Sequence, residues 1–303
     1  KVIASEWGDT EIEKLALLLP DLNVQNLRLD SNLFGDEGVK ALAAALPRSK
    51  VTWIRLVNNQ IGDEGATAVA AALPSSKVTA IDIRNNQIGD KGAKALAAAL
   101  PSSKVSSFDL RDNRIGGEGL LALMEVKQEE PNRNIHFGSK TAFVKIGDEG
   151  AKAFAAALPS SKLTKITLGN NNIGDDGALA LAAALPSSKV TWIELHKNKI
   201  GDKGAKALAA VLSSKVTNIN LDNNQIGDEG AKAIAAALPS SKVTEIDLHS
   251  NRIGDEGAQA FAAALPSSKV TRISLHTNQI SDDGATALNG CVNSDGASIN
   301  LQV

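Results

Sequence analysis

Histidine and carboxylate side chains in the C-terminal third of the chain are the groups best suited to chemistry. His249 and His276 stand one repeat length apart in a periodic sequence, so they should lie close enough in space to share a metal ion. Asp247 or Asp222 could add a carboxylate. A zinc site needs three or four ligands in fixed geometry, and the spacing of these residues does not enforce one. We therefore predict no metal site and no cofactor. A pH-sensitive contact with a partner is the other use of these histidines, since histidine titrates near neutrality.

Other motifs for catalysis or ion binding are weak or missing. Residues 222–230, DNNQIGDEG, resemble a calcium loop with oxygen ligands at the first and third places and glycine at the sixth. However, the fifth place is Ile226 and no glutamate stands at the twelfth. The sequence contains no phosphate-binding G-x-x-x-x-G-K-[ST] loop, no G-x-S-x-G turn and no H-E-x-x-H helix. With no tyrosine and one cysteine, we predict that the chain is not an enzyme.

These side chains are carried by a repeat of about 27 residues. The segment from Val51 to Lys77, VTWIRLVNNQIGDEGATAVAAALPSSK, recurs with small edits along nearly the whole chain. A repeat of this length indicates a solenoid, in which each unit packs on its neighbours. The units begin at Val24, Val51, Val78, Val105, Asn132, Leu163, Val190, Val216, Val243 and Val270.

The first half of a unit predicts a short parallel strand. Ile54 and Leu56 are two residues apart, so in an extended chain both point to one face, while Trp53, Arg55 and Val57 point to the other. The apolar face should be buried and the other face should meet solvent. Residues that vary between units lie mainly on this second face, so any function is expected there.

The second half of a unit predicts a helix. Asp63 stands where the helix would begin and could accept hydrogen bonds from the N–H groups of its first turn. Residues 66–73 are rich in alanine, which favours helix and allows close packing. Pro74 ends the helix because it cannot donate a backbone hydrogen bond.

The repeat L-x-x-L-x-L-x-x-N-x-I resembles the leucine-rich repeat, and its 27-residue helical form resembles the ribonuclease-inhibitor-like subfamily. The resemblance implies an α/β leucine-rich-repeat solenoid (horseshoe), with a parallel β-sheet on the concave face and α-helices on the convex face. One asparagine per unit would form a structural ladder that satisfies backbone groups at the strand exits: Asn32, Asn59, Asn86, Asn113, Asn171, Asn198, Asn224, Asn251 and Asn278.

We expect three parts along the chain: an N-terminal capping half-repeat over residues 1–23, ten repeats over 24–296, and a final partial repeat or edge strand over 297–303. The units at about 105–162 are irregular, with Gly117 at the aspartate position, a strand at Ile135 and Phe137, and Lys140 near the place of the ladder asparagine. This irregularity, centred on residues 117–145, is either a partner-contacting loop or a drifted repeat. At the other end, either the native chain continues past Val303 or a natural edge strand ends it.

The variable positions of the concave face are the predicted partner-binding site. Trp192 with Glu194, His196 and Lys197 is the strongest candidate, and Trp53 beside the arginines of neighbouring strands is the second, because tryptophan and arginine are enriched at binding hot spots. Each tryptophan could instead lie flat as cross-strand packing. The predicted site comprises Trp53, Arg55, Arg84, Asp109, Arg111, Trp192, Glu194, His196, Lys197, Asp222, Asp247, His249, Arg272 and His276.

The charge and the apolar runs limit the partners. A net charge of −2 and a pI near 6.2 do not favour nucleic acid, and no apolar stretch reaches the length of a membrane helix. We therefore predict a monomeric, cytoplasmic, non-enzymatic scaffold that binds a protein partner on its concave face. The resemblance also allows a Ran-type GTPase-activating protein, or a recognition or effector module of a larger host–microbe or immune protein, which a microbe would deliver into a host cell.

Overall fold

The computed structural model describes residues 6–136, 145–213, 215–296 and 299–303. The chain divides into two compact units, unit 1 (Lys1–Lys145) and unit 2 (Ile146–Val303). In each unit, short parallel strands alternate with helices. This alternation confirms the predicted α/β solenoid architecture.

Unit 1 contains a five-stranded parallel sheet in the order of the chain. Residues at the same position of successive repeats are paired, as Trp53 is with Asn26 and Ala80. The strands are β1 (Asn26–Arg28), β2 (Trp53–Arg55), β3 (Ala80–Asp82), β4 (Ser107–Asp109) and β5 (Asn134–His136), and the helices are α1 (Asp9–Leu18), α2 (Asp36–Ala45), α3 (Asp63–Ala72), α4 (Asp90–Ala99) and α5 (Gly117–Glu129). Helix α1 lies inside the stretch 1–23 for which a capping half-repeat is predicted.

Unit 2 contains a six-stranded parallel sheet, again with successive strands adjacent. The strands are β6 (Lys165–Thr167), β7 (Trp192–Glu194), β8 (Asn218–Asn220), β9 (Glu245–Asp247), β10 (Arg272–Ser274) and β11 (Asn300–Gln302), and the helices are α6 (Gly147–Ala157), α7 (Asp175–Ala184), α8 (Asp202–Ala209), α9 (Asp228–Ala237), α10 (Asp255–Ala264) and α11 (Asp282–Leu288). Within the described ranges, every helix is too short or too polar to cross a lipid bilayer.

The core of each unit lies between its strands and its helices. The middle residue of each strand from β1 to β10 is buried, as Ile54 and Ile193 illustrate, and so is the apolar residue two places later, such as Leu56, wherever the structure describes that position. The first and third residues of the strands face solvent, apart from Ser274 at the end of β10, which is buried. We call this solvent-facing side of each sheet, together with the residues that follow each strand, the strand face. The predicted two-residue alternation is therefore confirmed.

The prediction that each repeat aspartate caps its own helix is wrong. Asp63 is the first residue of α3, but its Oδ1 accepts hydrogen bonds from the backbone N–H groups of Gly89 (2.7 Å) and Gly92 (2.8 Å) at the start of α4. The same contact recurs along both units, so each aspartate stabilises the N-terminus of the next helix. A single unit could not reveal this, because its carboxylate and the amides that bind it are more than 25 residues apart in sequence.

The glycine of the D-E-G segment is explained by the same contact. A Cβ atom on Gly92 would lie 2.8 Å from Asp63 Oδ1 and 2.9 Å from Ala66 Cβ. Only glycine leaves room for the carboxylate, and a small residue at position 66 leaves room for the neighbouring helix.

The irregular region breaks this series of aspartates. Gly117 begins α5 in place of aspartate and has no carboxylate to offer, and the series starts again at Asp148, which accepts from Gly174 and Gly177. Strand β5 includes the predicted Ile135, which is buried. Phe137 and Lys140, the other residues predicted to matter there, lie outside the described residues.

Candidate functional site

The asparagines of the predicted ladder are part of the scaffold. Asn59 Nδ2 donates to the carbonyl oxygens of Leu29 (2.9 Å) and Leu56 (3.1 Å), and its Oδ1 accepts from the backbone N–H of Asn32 (3.2 Å). Seven of these nine asparagines are buried, and Asn171 and Asn278 are partly exposed. Their amides satisfy strand-exit backbone groups that would otherwise be buried without a partner.

On the strand face of unit 1, charged side chains form a continuous series of ion pairs, which we call the charged row. Arg84 shows the pattern: its Nη2 lies 2.8 Å from Asp82 Oδ2 and its Nε lies 3.3 Å from Asp109 Oδ2. Arg111 Nη2 lies 2.5 Å from Asp109 Oδ2. The row comprises Arg28, Asp30, Arg55, Asp82, Arg84, Asp109 and Arg111.

The charged row is held firmly around Asp109. Burial by itself would raise the pKa of Asp109, but hydrogen bonds from Arg111 outweigh it and lower the pKa below its ordinary value. Asp82 and Asp109 are paired across β3 and β4, so without the arginines two carboxylates would repel each other. Arg55 Nε lies 3.0 Å from Asp30 Oδ2, yet it has no hydrogen-bond partner within the described residues, so that contact is purely ionic.

Trp53 is half-buried on the strand face of unit 1. It lines a shallow depression of about 510 Å³ together with Arg28, Asn26 and the segment 23–25 that precedes β1. Its neighbours Arg28 and Arg55 are already engaged with Asp30. Arg28 therefore lies beside Trp53, but Arg28 and Arg55 are both paired within the charged row.

Trp192 is the most exposed tryptophan of the chain, with 40% of its surface accessible. The Nζ atom of Lys165 lies 4.1 Å from its ring centroid, a distance typical of a cation–π contact. The same Nζ lies 2.7 Å from Glu194 Oε1. Lys165 therefore covers part of the ring and holds Glu194 beside it. Sequence reasoning did not place Lys165 in the site, although its position beside Trp192 across β6 and β7 could have indicated it.

His196 and Lys197, which the sequence grouped with Trp192 and Glu194, are placed differently. The His196 ring packs against the backbone of Gly169, where a Cβ atom would lie 2.2 Å from the ring. Lys197 is exposed and adopts a left-handed backbone conformation with φ of 54°. Trp192 and Glu194 are thus brought together through Lys165, while His196 is held against the preceding coil.

Next to Trp192 is an open depression of about 220 Å³ on the strand face of unit 2. Its charged lining consists of Glu194, Glu245, Asp247 and Arg272. Glu245 and Arg272 are exposed and neighbour each other across β9 and β10. Within the described part of the chain, neither forms an ion pair at 4 Å or less, unlike the members of the charged row. We call Trp192, Glu245 and Arg272 the open cluster.

His249 and His276 stack in parallel at the end of β9 and β10, with ring centroids 4.5 Å apart and planes 5° apart. His249 Nδ1 lies 2.8 Å from Asp247 Oδ1, and His249 Nε2 lies 3.3 Å from Asp222 Oδ2. His276 Nδ1 lies 2.9 Å from Ser274 Oγ. The four residues that the sequence suggested could approach one another are therefore neighbours.

Cys291 lies outside these clusters, on the coil after α11. Partial burial raises the pKa of its thiol, which disfavours the reactive thiolate.

The sequence profile of the leucine-rich repeat family matches eight segments of the chain: residues 22–43, 50–70, 75–97, 102–124, 160–182, 187–209, 213–235 and 240–262. These segments make up more than half of the sequence, and the chain belongs to the leucine-rich repeat family. Proteins of this family generally act as non-enzymatic scaffolds for interactions with other proteins. No curated protein sequence matches the chain significantly.

Three solved structures match the chain at low sequence identity. An internalin from Listeria monocytogenes aligns with 92% of this chain and 76% of its own, at 16% identity and a TM-score of 0.41. The actin-binding site 2 of leiomodin-1 aligns with 45% of this chain and 80% of its own, at 22% identity and a TM-score of 0.34. The yeast Rad7 and Elc1 complex gives a match over 97% of this chain and 83% of that chain, at 12% identity and a TM-score of 0.34.

Proposed function

We propose that this protein binds a partner protein on the strand face of its repeats, and that the open cluster of unit 2 supplies the main anchor. The observation that carries the proposal is Trp192, a large aromatic side chain with 40% of its surface exposed, which lines a depression together with Glu245 and Arg272. Covering such a ring releases water from apolar surface, and tryptophan is among the residue types that dominate binding energies at interfaces.

Charge in the open cluster adds selectivity to this anchor. Glu245 and Arg272 are exposed and lack ion-pair partners among the described residues, so a partner can pair with both without first breaking a bond within the protein. Such charges guide encounter and orientation more than they add affinity. The partner is expected to present an acidic group to Arg272 and a basic group to Glu245, with an apolar side chain against Trp192.

The charged row of unit 1 is less suited to this role. Each arginine of that row already faces an aspartate, so a partner must replace contacts that exist before it arrives. Trp53 remains a secondary contact because it is only half-buried. This order of importance, Trp192 first and Trp53 second, is the part of the proposal that experiment can decide.

The test is affinity capture from cells of the source organism, followed by mass spectrometry, with matched variants of the full chain. Trp192→Ala is compared with Leu179→Ala, which removes a side chain that is 59% exposed on α7, away from the strand face. A partner of the strand face is recovered by the wild type and by Leu179→Ala and is lost with Trp192→Ala. Glu245→Lys provides a second probe, since it reverses an exposed charge without altering the core.

Photo-crosslinking then locates the contact. A benzophenone amino acid in place of Asn218, which lines the depression, should crosslink the captured protein, whereas the same group at position 179 should not. Equal recovery by all three variants, or crosslinking from position 179 alone, would contradict the proposal.

A further inference from the structure

The residues around His249 form a cluster of metal-ligating groups on the strand face of unit 2. Asp222 follows β8, Asp247 ends β9 and His249 follows β9. One ligand atom from each residue can be chosen so that all three lie within 4.8 Å of one another. All three side chains are partly buried, with 14%, 34% and 27% of their surfaces exposed.

The two nitrogens of the His249 ring face different carboxylates. On one side, Nδ1 lies 2.8 Å from Asp247 Oδ1, which is hydrogen-bonding distance. On the other side, Nε2 lies 3.3 Å from Asp222 Oδ2. A neutral imidazole donates one proton only. If that proton is on Nδ1, the lone pair of Nε2 points towards a carboxylate oxygen, and a bound cation between them would relieve this repulsion.

The distance between Nε2 and Asp222 Oδ2 suits a metal ion. Two ligands bound to tetrahedral zinc at the usual bond lengths lie about 3.4 Å apart. Asp247 would then orient the ring through Nδ1–H, the arrangement in which a carboxylate fixes the tautomer of a metal-binding histidine. With a small movement of its side chain, Asp247 could also bind the metal ion through its second carboxylate oxygen.

Asp222 provides a second and independent indication. Its Oδ1 is fully buried and has no hydrogen-bond partner within the described ranges. A carboxylate oxygen removed from water without a donor is unfavourable. A cation bound beside Nε2 would be close enough to satisfy this oxygen.

Stacking fixes the plane of the His249 ring. His276 lies parallel at 4.5 Å and is itself held by Ser274. In this arrangement the lone pairs of the two rings run parallel and do not converge, so His276 is a positioning residue rather than a ligand. His196, at the same position of an earlier repeat, packs on Gly169 instead, and among the described residues only Asp222, Asp247 and His249 form such a group.

We propose that His249, Asp222 and Asp247 bind one divalent transition-metal ion of the zinc class. Imidazole nitrogen is a poor ligand for magnesium or calcium and a good one for zinc, nickel and copper, and carboxylates complete such a set. Water or an acidic group of the partner protein would fill the remaining positions. The proposal is independent of whether Trp192 anchors a partner, and it departs from the absence of a metal site predicted from spacing alone.

The test is calorimetric titration of Zn²⁺ into the full chain, after treatment with a chelator and removal of any polyhistidine tag. Wild type is expected to bind one Zn²⁺ per chain. Asp222→Asn and His249→Arg should each weaken binding by about tenfold or more. His249→Arg is informative because it supplies a permanent cation between the two carboxylates, so the fold is retained while the ligand is lost.

His196→Asn is the matched control and should bind Zn²⁺ as tightly as wild type. Co²⁺ in place of Zn²⁺ gives a second readout, a visible absorption band that disappears in His249→Arg. The proposal is overturned if wild type fails to bind at millimolar Zn²⁺, or if all variants bind equally, since the metal would then lie elsewhere or bind nonspecifically. Circular dichroism of each variant confirms that a loss of binding is not a loss of fold.

Discussion

At equivalent places in the repeat, unit 1 carries Arg84 and unit 2 carries His249. Each lies beside the aspartate two residues earlier, at 2.8 Å in both cases, and each reaches a second aspartate of a neighbouring repeat, at 3.3 Å in both cases. Arginine is a permanent cation, whereas histidine is a cation only when it is protonated and is neutral when it binds a metal. The same backbone position therefore places a permanent cation between two aspartates in unit 1 and an imidazole, the proposed metal ligand, between two aspartates in unit 2.

The comparison of the two strand faces shows that nearly identical repeats can carry self-paired charges in one unit and exposed groups available to a partner in the other. The charged row of unit 1 satisfies its own charges and contributes to folding. The open cluster of unit 2 leaves an aromatic ring and two charges exposed to solvent, at some cost to stability. Under the proposed function, that cost is recovered when the partner covers the cluster.

The largest effect is expected when the centre of the charged row is removed. Arg84→Ala leaves Asp82 and Asp109 side by side without their shared cation. Removing one partner of a largely buried pair is strongly destabilising, and with partial exposure we expect a loss of about 2–3 kcal/mol. Urea denaturation at pH 7 measures it, with His249→Ala as the matched change in unit 2, where the loss should be smaller. A larger loss for His249→Ala would contradict the comparison.

Replacing Arg84 by histidine should make the stability of unit 1 depend on pH. Arg84→His should cost about 1–2 kcal/mol at pH 8, where an unperturbed histidine is neutral, and clearly less near pH 5.5, where it is charged. The sign follows because protonation restores the cation between the two aspartates. Denaturation curves at both pH values check this, with Arg84→Lys as a control that should show no such dependence.

Acid should weaken the charged row through Asp109. Because Arg111 holds the pKa of Asp109 below its ordinary value of 3.8, the native state favours the ionised form. The stabilisation is therefore complete above that value and is lost as the pH falls through the lowered one.

Asp109→Asn tests this step. It should cost about 1–2 kcal/mol at neutral pH, and the difference from wild type should shrink in strong acid. Asp21→Asn, at an exposed position after α1, should behave as wild type throughout. A difference for Asp109→Asn that is constant across the whole pH range would contradict the assignment.

The smallest expected effect concerns the left-handed residue that precedes each ladder asparagine. Unit 1 places Asn58 there with φ of 59°, and unit 2 places the β-branched Thr277 there with the same φ. Asparagine tolerates this conformation better than a β-branched residue. Thr277→Asn should raise the thermal midpoint by a few degrees at most, and Asn58→Thr should lower it; equal midpoints would mean that the backbone strain is negligible.

Most of the architecture could be predicted from the sequence, because the same pattern of buried and exposed residues recurs in each repeat. The alternation of Ile54 and Leu56 with solvent-facing residues and the placement of each helix follow from local spacing. Local spacing could not predict which neighbouring repeat, the preceding or the following one, a side chain contacts. Asp63 binds the next helix rather than its own, and Lys165 covers Trp192 from the preceding strand.

The candidate site was predicted only as a set of positions. Spacing placed His249 and His276 in neighbouring repeats but could not orient their rings, which stacking and Asp222 determine. Likewise, the sequence ranked Trp192 above Trp53 but could not show their surroundings: Lys165 covers part of the Trp192 ring, whereas Trp53 lies beside Arg28, which is paired with Asp30. The side chains on these two strand faces differ, although the backbone that carries them is nearly the same.

The most direct test of the account compares Trp192→Ala with Trp53→Ala in their affinity for the captured partner, measured by biolayer interferometry on the full chain. Truncation of an interface anchor typically costs about 2 kcal/mol or more, or roughly thirtyfold in Kd. We predict a loss of that size for Trp192→Ala and only a few-fold loss for Trp53→Ala. An unchanged Kd for Trp192→Ala, or a larger loss for Trp53→Ala, would contradict the assignment of recognition to unit 2.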